Sequence, residues 1–246
     1  ICLWTLTGSI DVPGGMVIAR PSFGVTAYPW TTEELVKLYG EDLVKNLNEK
    51  RIGADRYPMV KNFRGWAQPD MCIDQINTGK PYPIKGIWIQ TTNMLGGQAA
   101  NARLHYDALR KLEFIAIVDL FHNPTTMALA DIVLPAATFP EKDSFRAWWA
   151  PLQIIKKRVQ VGECKTDWEI NFEMAKRFNP EGLKKWDTVI DLFNERLAPP
   201  GMTFQDLQQK GGWVMPPDGP FKPYRRHERG LLRRDEWRDA GEGGDG

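Results

Sequence analysis

Polar side chains follow three apolar runs of the sequence, at positions where binding chemistry is common. Asn93 comes after the first run, Asp119 ends the second, and Glu141-Lys142-Asp143 comes shortly after the third. A carboxylate held at a strand end can accept hydrogen bonds from ribose hydroxyls or a guanine edge, and a lysine can neutralise a phosphate. Asn and Asp also cap turns. The sequence therefore leaves both nucleotide binding and turn capping open for Asn93 and Asp119.

Other catalytic and metal-binding chemistries lack the residues they need. No two of the three cysteines are close in sequence, so a CxxC metal clasp, a four-cysteine iron–sulfur set and a disulfide framework are absent; the cysteines are Cys2, Cys72 and Cys164. We interpret the three cysteines as structural or incidental, and His105 and His122 as structural side chains; the third histidine is His227. No GxSxG elbow or P-loop occurs, and the glycines at 14–15 and 96–97 do not form GxGxxG. We therefore assign no catalytic residue and no metal ligand.

The charge balance argues against a nucleic-acid or membrane-inserted protein. Lys and Arg number 32 and Asp and Glu 31, so the net charge of +1 provides no field of one sign to attract a polyanion. No apolar run approaches the roughly 18 residues of a membrane helix. Glu228, Asp235 and Glu236 offset much of the charge of the arginines at 225–238, which is typical of a solvated segment. We expect neither nucleic acid nor membrane insertion.

The most regular part of the sequence predicts a βαβ unit. Apolar runs at 84–90, 113–119 and 131–135 predict strands, and 98–112 has the composition of a helix. Parallel strands need a crossover, which this helix provides. Because the strands are apolar along their length, helices should cover both faces. The predicted fold class is α/β: a mostly parallel sheet flanked by helices, a Rossmann-like layered domain with irregular appendages.

Helices are predicted on both sides of this unit. One begins at Thr31 with a break at Gly40, and others cover 167–178, 187–197 and a short stretch after Thr203, two of them opened by capping boxes. Residues 50–82 are expected to be irregular. The predicted division is a loop-rich lead-in with one helical region (1–82), an α/β cofactor-binding core (83–180), a helical and Pro-rich extension (181–240) and a disordered tail (241–246).

The order and spacing of several motifs resemble those of the molybdopterin oxidoreductases, the dimethyl-sulfoxide-reductase type with two molybdopterin guanine dinucleotides. The matching pieces are WIQTTNML at 88–95, IVDLFHNPTT at 117–126, ADIVLPAA at 130–137 and EK at 141–142. The resemblance covers 84–178 most closely and 1–20 to a lesser degree. A chain that starts at Ile1, with neither an initiator Met nor a signal peptide, is then expected to be an internal piece of a longer, bacterial catalytic subunit.

The resemblance implies which residues contact the cofactor. They are Asn93, Val118, Asp119, Lys142 and Asp167, with Asp119 holding the nucleotide end. For Asp167 a structural role is sufficient by itself, because a negative charge is favourable in the first turn of a helix.

The resemblance also implies what the whole protein would be: a molybdenum-dependent oxidoreductase with a bis-molybdopterin guanine dinucleotide cofactor and a 4Fe–4S cluster in an N-terminal part outside this sequence. Its partners would be the remaining domains of the same subunit and an iron–sulfur electron-transfer subunit. The piece alone is expected to be inactive. Its substrate and its compartment, either exported to the periplasm or cytoplasmic, stay open. The alternatives are a stand-alone nucleotide- or pterin-binding module without redox activity and a structural domain with a vestigial site.

Overall fold

The computed structural model describes residues 2–10, 12, 15–16, 32–62, 66–146 and 152–214. The predictions for 225–238 and 241–246 lie outside these ranges. The described residues form two compact units, one built from 32–143 and 156–189 and the other from 2–16, 144–155 and 190–214. Within this part of the chain, no helix has the length and apolar content to cross a membrane.

Both units contain helices. In chain order they are α1 (Cys2–Leu6), α2 (Thr32–Tyr39), α3 (Glu41–Lys50), α4 (Pro58–Asn62), α5 (Pro69–Thr78), α6 (Ala102–Leu109), α7 (Pro124–Leu129), α8 (Asp167–Phe178), α9 (Pro180–Leu183), α10 (Val189–Leu197) and α11 (Phe204–Gln209). A π-helical turn covers Met94–Gln98 and a 3-10 turn covers Phe139–Glu141.

A parallel sheet forms the centre of the first unit. Its strands are β1 (Gly86–Gln90), β2 (Phe114–Asp119) and β3 (Ile132–Pro135), in the order β1-β2-β3. Helix α6 connects β1 to β2, and α7 connects β2 to β3. The predicted α/β fold with a parallel sheet flanked by helices is confirmed.

Apolar packing against one face of the sheet holds this arrangement together. Ile117, in the central strand, is fully buried. The buried apolar residues packed around it lie in β1, β2, α6 and α7; they are Ile89, Leu109, Ile115 and Leu129. Val118, on the opposite face of β2, is also fully buried. A strand buried on both faces is expected to be apolar at nearly every position. The apolar composition of 113–119 therefore predicted strand β2 correctly.

Local signals in the sequence set several helix boundaries. Gly40, with φ of 85°, separates α2 from α3, which confirms the predicted break. The capping box that opens α8 is present with both bonds: the Thr166 hydroxyl accepts from the Glu169 N–H at 3.0 Å, and the Glu169 carboxylate accepts from the Thr166 N–H at 2.8 Å.

Two stretches fold into helices that the sequence analysis did not predict. Residues 50–82 were expected to be irregular, but α4 and α5 lie there. Helix α5 has Pro69 at its start and Gly79, at φ of 68°, after its end. These are the ordinary helix start and stop residues. The predicted polar turn at 122–126 is the first turn of α7, and the helix predicted for 98–112 is confined to α6.

The second unit contains an antiparallel sheet that the sequence analysis missed. Its strands are β4 (Ser144–Arg146), β5 (Leu152–Ile155) and β6 (Trp213–Val214), in the order β4-β5-β6. The ring of Phe145 contacts that of Phe193 edge to face, with centroids 5.1 Å apart. Phe193, Leu152 and Leu207 are fully buried, so this unit has a small core of its own.

Candidate functional site

The carboxyl ends of β1, β2 and β3 lie at one edge of the parallel sheet. Gln90, the last residue of β1, pairs with Val118, and Asp119, the last residue of β2, pairs with Pro135 at the end of β3. Open α/β sheets bind their ligands outside this edge. We call it the carboxyl edge.

Asn93 lies just beyond β1 and caps the π-helical turn that follows. Its Oδ1 accepts from the Gly96 N–H at 3.1 Å and from the Thr125 hydroxyl at 2.9 Å. A Cβ at position 96 would come within 2.4 Å of the Asn93 amide nitrogen, so a larger residue there would have to displace the Asn93 side chain. The Asn93 Nδ2 makes no hydrogen bond to the described residues and keeps its donors for another partner.

Asp119 ends β2 and closes the turn that follows. Its Oδ1 accepts from the Leu120 N–H at 2.7 Å and the Phe121 N–H at 3.4 Å, and its Oδ2 accepts from the Asn123 side chain at 2.8 Å. The side chain is half-buried. A carboxylate offers about four lone pairs, so one acceptor position on Asp119 stays open after these three bonds.

The first turn of α7 joins Asn93 to Asp119. Asn123 donates to Asp119, and its Oδ1 accepts from the backbone N–H groups of Thr125 and Thr126 at 2.9 and 3.1 Å. The fully buried Thr125 hydroxyl bonds Asn93 and accepts from the Leu95 N–H at 2.9 Å. Asn93 and Asp119 are therefore held in one hydrogen-bonded network across the ends of two strands.

At the carboxyl edge Val118 can offer only its backbone, because its side chain is fully buried. Its carbonyl accepts from the Thr91 N–H at 3.1 Å, one position beyond β1. Thr91 has φ of 57°, a left-handed conformation that costs a non-glycine residue about 1–2 kcal/mol. The chain thus leaves the sheet sharply between Gln90 and Asn93.

Asp167, in the first turn of α8, reaches the end of β1 through Gln90. The Gln90 Nε2 donates to the Asp167 Oδ1 at 2.7 Å. The box formed by Thr166 and Glu169 already caps α8. Asp167 is therefore tied to the sheet and is not the residue that caps its own helix.

Lys142 follows β3 by way of the 3-10 turn. Its ammonium lies over the ring of Phe139, 4.7 Å from the centroid. Across the described part of the chain it forms no ion pair, and no hydrogen bond joins it to Asn93, Asp119 or Asp167. The structure thus links the other four predicted residues by hydrogen bonds or strand pairing and leaves Lys142 with a half-buried, unneutralised charge.

Glu141, directly before Lys142, has a structural role. The hydroxyl and the backbone N–H of Thr138 both donate to its buried carboxylate, and the Cys164 thiol donates at 3.2 Å. These bonds lower the pKa of Glu141 from 4.5 to about 2. Burial and the nearby Glu141 carboxylate raise the pKa of the Cys164 thiol.

Three site residues were not singled out by the sequence analysis. Gln90 is polar at the end of an apolar strand, which is a recognisable signal, whereas Asn123 and Thr125 look like ordinary turn residues. In the described ranges, no group of three or more His, Cys, Asp or Glu side chains is arranged to hold a metal ion. The chemistry available at the carboxyl edge is hydrogen bonding by Asn93, Asp119 and Asp167.

The sequence model of the molybdopterin oxidoreductase family matches residues 27–177, more than half of the chain. The chain is 29% identical over 185 residues to the dopamine dehydroxylase of Eggerthella lenta, covering 71% of this chain and 17% of that protein. It is 27% identical over 191 residues to the acetylene hydratase of Syntrophotalea acetylenica, covering 76% and 25%. The chain thus spans a quarter or less of the length of these relatives.

A solved structure has the same fold. Acetylene hydratase from Pelobacter acetylenicus superposes with a TM-score of 0.65 at 21% sequence identity, covering 83% of this chain and 30% of that one.

The Thr125 hydroxyl provides the first test of the network. Thr125→Val keeps the side-chain shape but leaves the Leu95 N–H without its partner and removes one of the two bonds to Asn93 Oδ1. The free energy of unfolding should therefore fall by about 1–3 kcal/mol. Thr78→Val, at an exposed helix end, should change it by no more than about 0.5 kcal/mol. Urea unfolding measures both variants. Equal effects would show that the network adds no stability.

The pKa of Glu141 predicts a specific pH dependence. Because the carboxyl titrates near 4.5 when unfolded and near 2 when folded, its stabilisation is present above pH 4.5 and is lost as pH falls towards 2. Glu141→Gln cannot titrate there. The free energy of unfolding of the wild type should therefore fall more steeply across this range than that of the variant. Urea unfolding at successive pH values measures the slopes, and equal slopes would contradict the assignment.

Proposed function

Since this chain belongs to the molybdopterin oxidoreductase family, we propose that it forms the part of a molybdenum-dependent oxidoreductase that binds the guanine dinucleotide arm of the cofactor. The observation that carries the proposal is the network of Asn93, Thr125, Asn123 and Asp119 at the carboxyl edge. It fixes two polar side chains where open α/β sheets bind nucleotides, and each keeps hydrogen-bonding capacity for a ligand.

Asp119 is the proposed anchor of the nucleotide. Three bonds from the protein hold its carboxylate in place, and its open acceptor position suits a ribose hydroxyl. A carboxylate already held in place loses little conformational entropy when the ligand arrives. Turn capping and ligand binding are therefore compatible roles for the same side chain.

Asn93, Val118 and Lys142 are proposed to complete the nucleotide site. The open Nδ2 of Asn93 would donate to an oxygen of the ligand, and the backbone at Val118 would border the base or ribose. The half-buried ammonium of Lys142 would neutralise a phosphate. Asp167 would accept from an N–H group of the nucleotide.

The donor set fits the nucleotide arm of such a cofactor, since it combines hydrogen-bonding side chains with one cation. When bound, the molybdenum held by the pterin dithiolenes supplies the exchange of oxygen atoms or electrons with substrate. This chain's residues bind and orient the arm. We propose that the remaining domains of the same catalytic subunit supply the metal ligand and a 4Fe–4S cluster, and that an iron–sulfur subunit carries electrons.

On this proposal the 246-residue chain is inactive by itself. The described residues contain no group of side chains suited to a metal, and the two relatives compared are at least about four times as long as the stretch they share with this chain. A purified chain that oxidised or reduced a viologen dye would contradict this part of the proposal.

Calorimetry with GDP tests the nucleotide site. Asp119→Ala removes the proposed anchor and should weaken GDP binding by about tenfold or more, as expected for losing a hydrogen bond to a charged group. Asp131→Ala is the matched control, because its carboxylate accepts from the Ile115 N–H at 2.7 Å at the opposite edge of the same sheet. The control should bind GDP as the wild type does. Equal affinities for all three proteins would remove Asp119 from the site, and no binding by the wild type would overturn the proposal.

A further inference from the structure

Gln90 lies at the centre of a second polar network, on the face of β1 that turns away from the apolar core. Side chains alternate along a strand: Ile87 and Ile89 pack into the core, whereas Trp88 and Gln90 point to the other face. The Gln90 Oε1 accepts from the Trp88 indole N–H and from the Asn171 side chain, each at 3.2 Å. Its Nε2 donates to the Asp167 Oδ1 at 2.7 Å.

The chemistry of the partners fixes the orientation of the Gln90 amide. An indole N–H can only donate, and an aspartate carboxylate can only accept. The amide oxygen must therefore face Trp88, and the amide nitrogen must face Asp167. A flipped amide would place oxygen against carboxylate and nitrogen against the indole N–H, losing both bonds.

This fixed amide limits what Asp167 can do. An aspartate in the first turn of a helix can fold back onto unpaired backbone N–H groups, but α8 is capped by Thr166 and Glu169, and Asp167 instead bonds Gln90. Because Gln90 is neutral, it orients the carboxylate without cancelling its charge. The Asp167 Oδ2 makes no hydrogen bond to the described residues.

We propose that Gln90 is a positioning residue, which holds the Asp167 carboxylate in one rotamer and leaves its Oδ2 open to N–H donors of a bound nucleobase. The assignment rests on the proposed function, because it takes Asp167 as a ligand to the nucleotide. Gln90 itself does not touch the ligand. Trp88 acts one step further back, because its indole N–H sets the orientation of the Gln90 amide.

The test uses the full chain and two variants. Gln90→Met keeps the length of the side chain and removes its hydrogen bonds. Asn171→Ala is the matched control, since it removes one partner of the Gln90 oxygen and leaves the bond to Asp167 and the bond from Trp88 in place. Three-bond couplings measured by NMR report the χ1 rotamer of Asp167 without any ligand. Calorimetry with GDP and with inorganic pyrophosphate separates contacts to the nucleoside from contacts to the phosphates.

We expect a single Asp167 rotamer in the wild type and in Asn171→Ala, and averaged couplings in Gln90→Met. GDP affinity should fall about tenfold in Gln90→Met, the loss typical of removing a residue that orients a ligand-binding group, while pyrophosphate affinity stays unchanged. A side chain with only a structural role would lower stability and leave the ratio of the two affinities as it is.

Two outcomes overturn the assignment: an unchanged Asp167 rotamer in Gln90→Met, or an averaged rotamer with unchanged GDP affinity. If the wild type binds no GDP, the proposed function fails and the couplings still decide whether Gln90 positions Asp167. Should Gln90→Met fail to fold, Gln90→Glu serves instead. It keeps the acceptor for Trp88, places a second carboxylate against Asp167, and should displace the Asp167 rotamer and weaken GDP binding in the same way.

Discussion

The parallel pairing of β1, β2 and β3 is the constraint on which the candidate site depends. Ile117 and Val118 in the central strand are fully buried on opposite faces, and burying each such side chain stabilises the fold by about 1.5–3 kcal/mol. Pairing in one direction brings the three carboxyl ends to one edge. Asn93 and Asp119 are neighbours because the strands that carry them must end together.

Hydrogen bonds then hold the polar side chains at this edge in fixed positions. The first turn of α7 ties Asn93 to Asp119, and Gln90 ties α8 to the end of β1. In both networks the bonds hold a side chain in place and leave at least one of its hydrogen-bonding positions without a partner among the described residues. Structural capping and readiness for a ligand are thus two results of the same bonds.

The sequence predicted the elements whose signals are local. The apolar strands, the break at Gly40 and the capping box of α8 depend on residues a few positions apart, and all three are present. The antiparallel sheet of β4, β5 and β6 was missed because its strands have two to four residues and one partner lies about 60 positions away along the chain. The bond between Gln90 and Asp167 spans 77 positions, and no local pattern predicts it. The roles of the five predicted site residues and the division into segments stay predictions.

The most direct test of the central claim is to locate the nucleotide on the sheet. Amide resonances of the ¹⁵N-labelled chain, followed by NMR during a GDP titration, report which backbone positions lie near the ligand. We expect shifts concentrated at the carboxyl edge, at Asn93, Asp119 and Lys142, with little change at Lys85, Glu113 and Asp131 at the opposite edge. Shifts concentrated at the opposite edge, or none at saturating GDP, would contradict it.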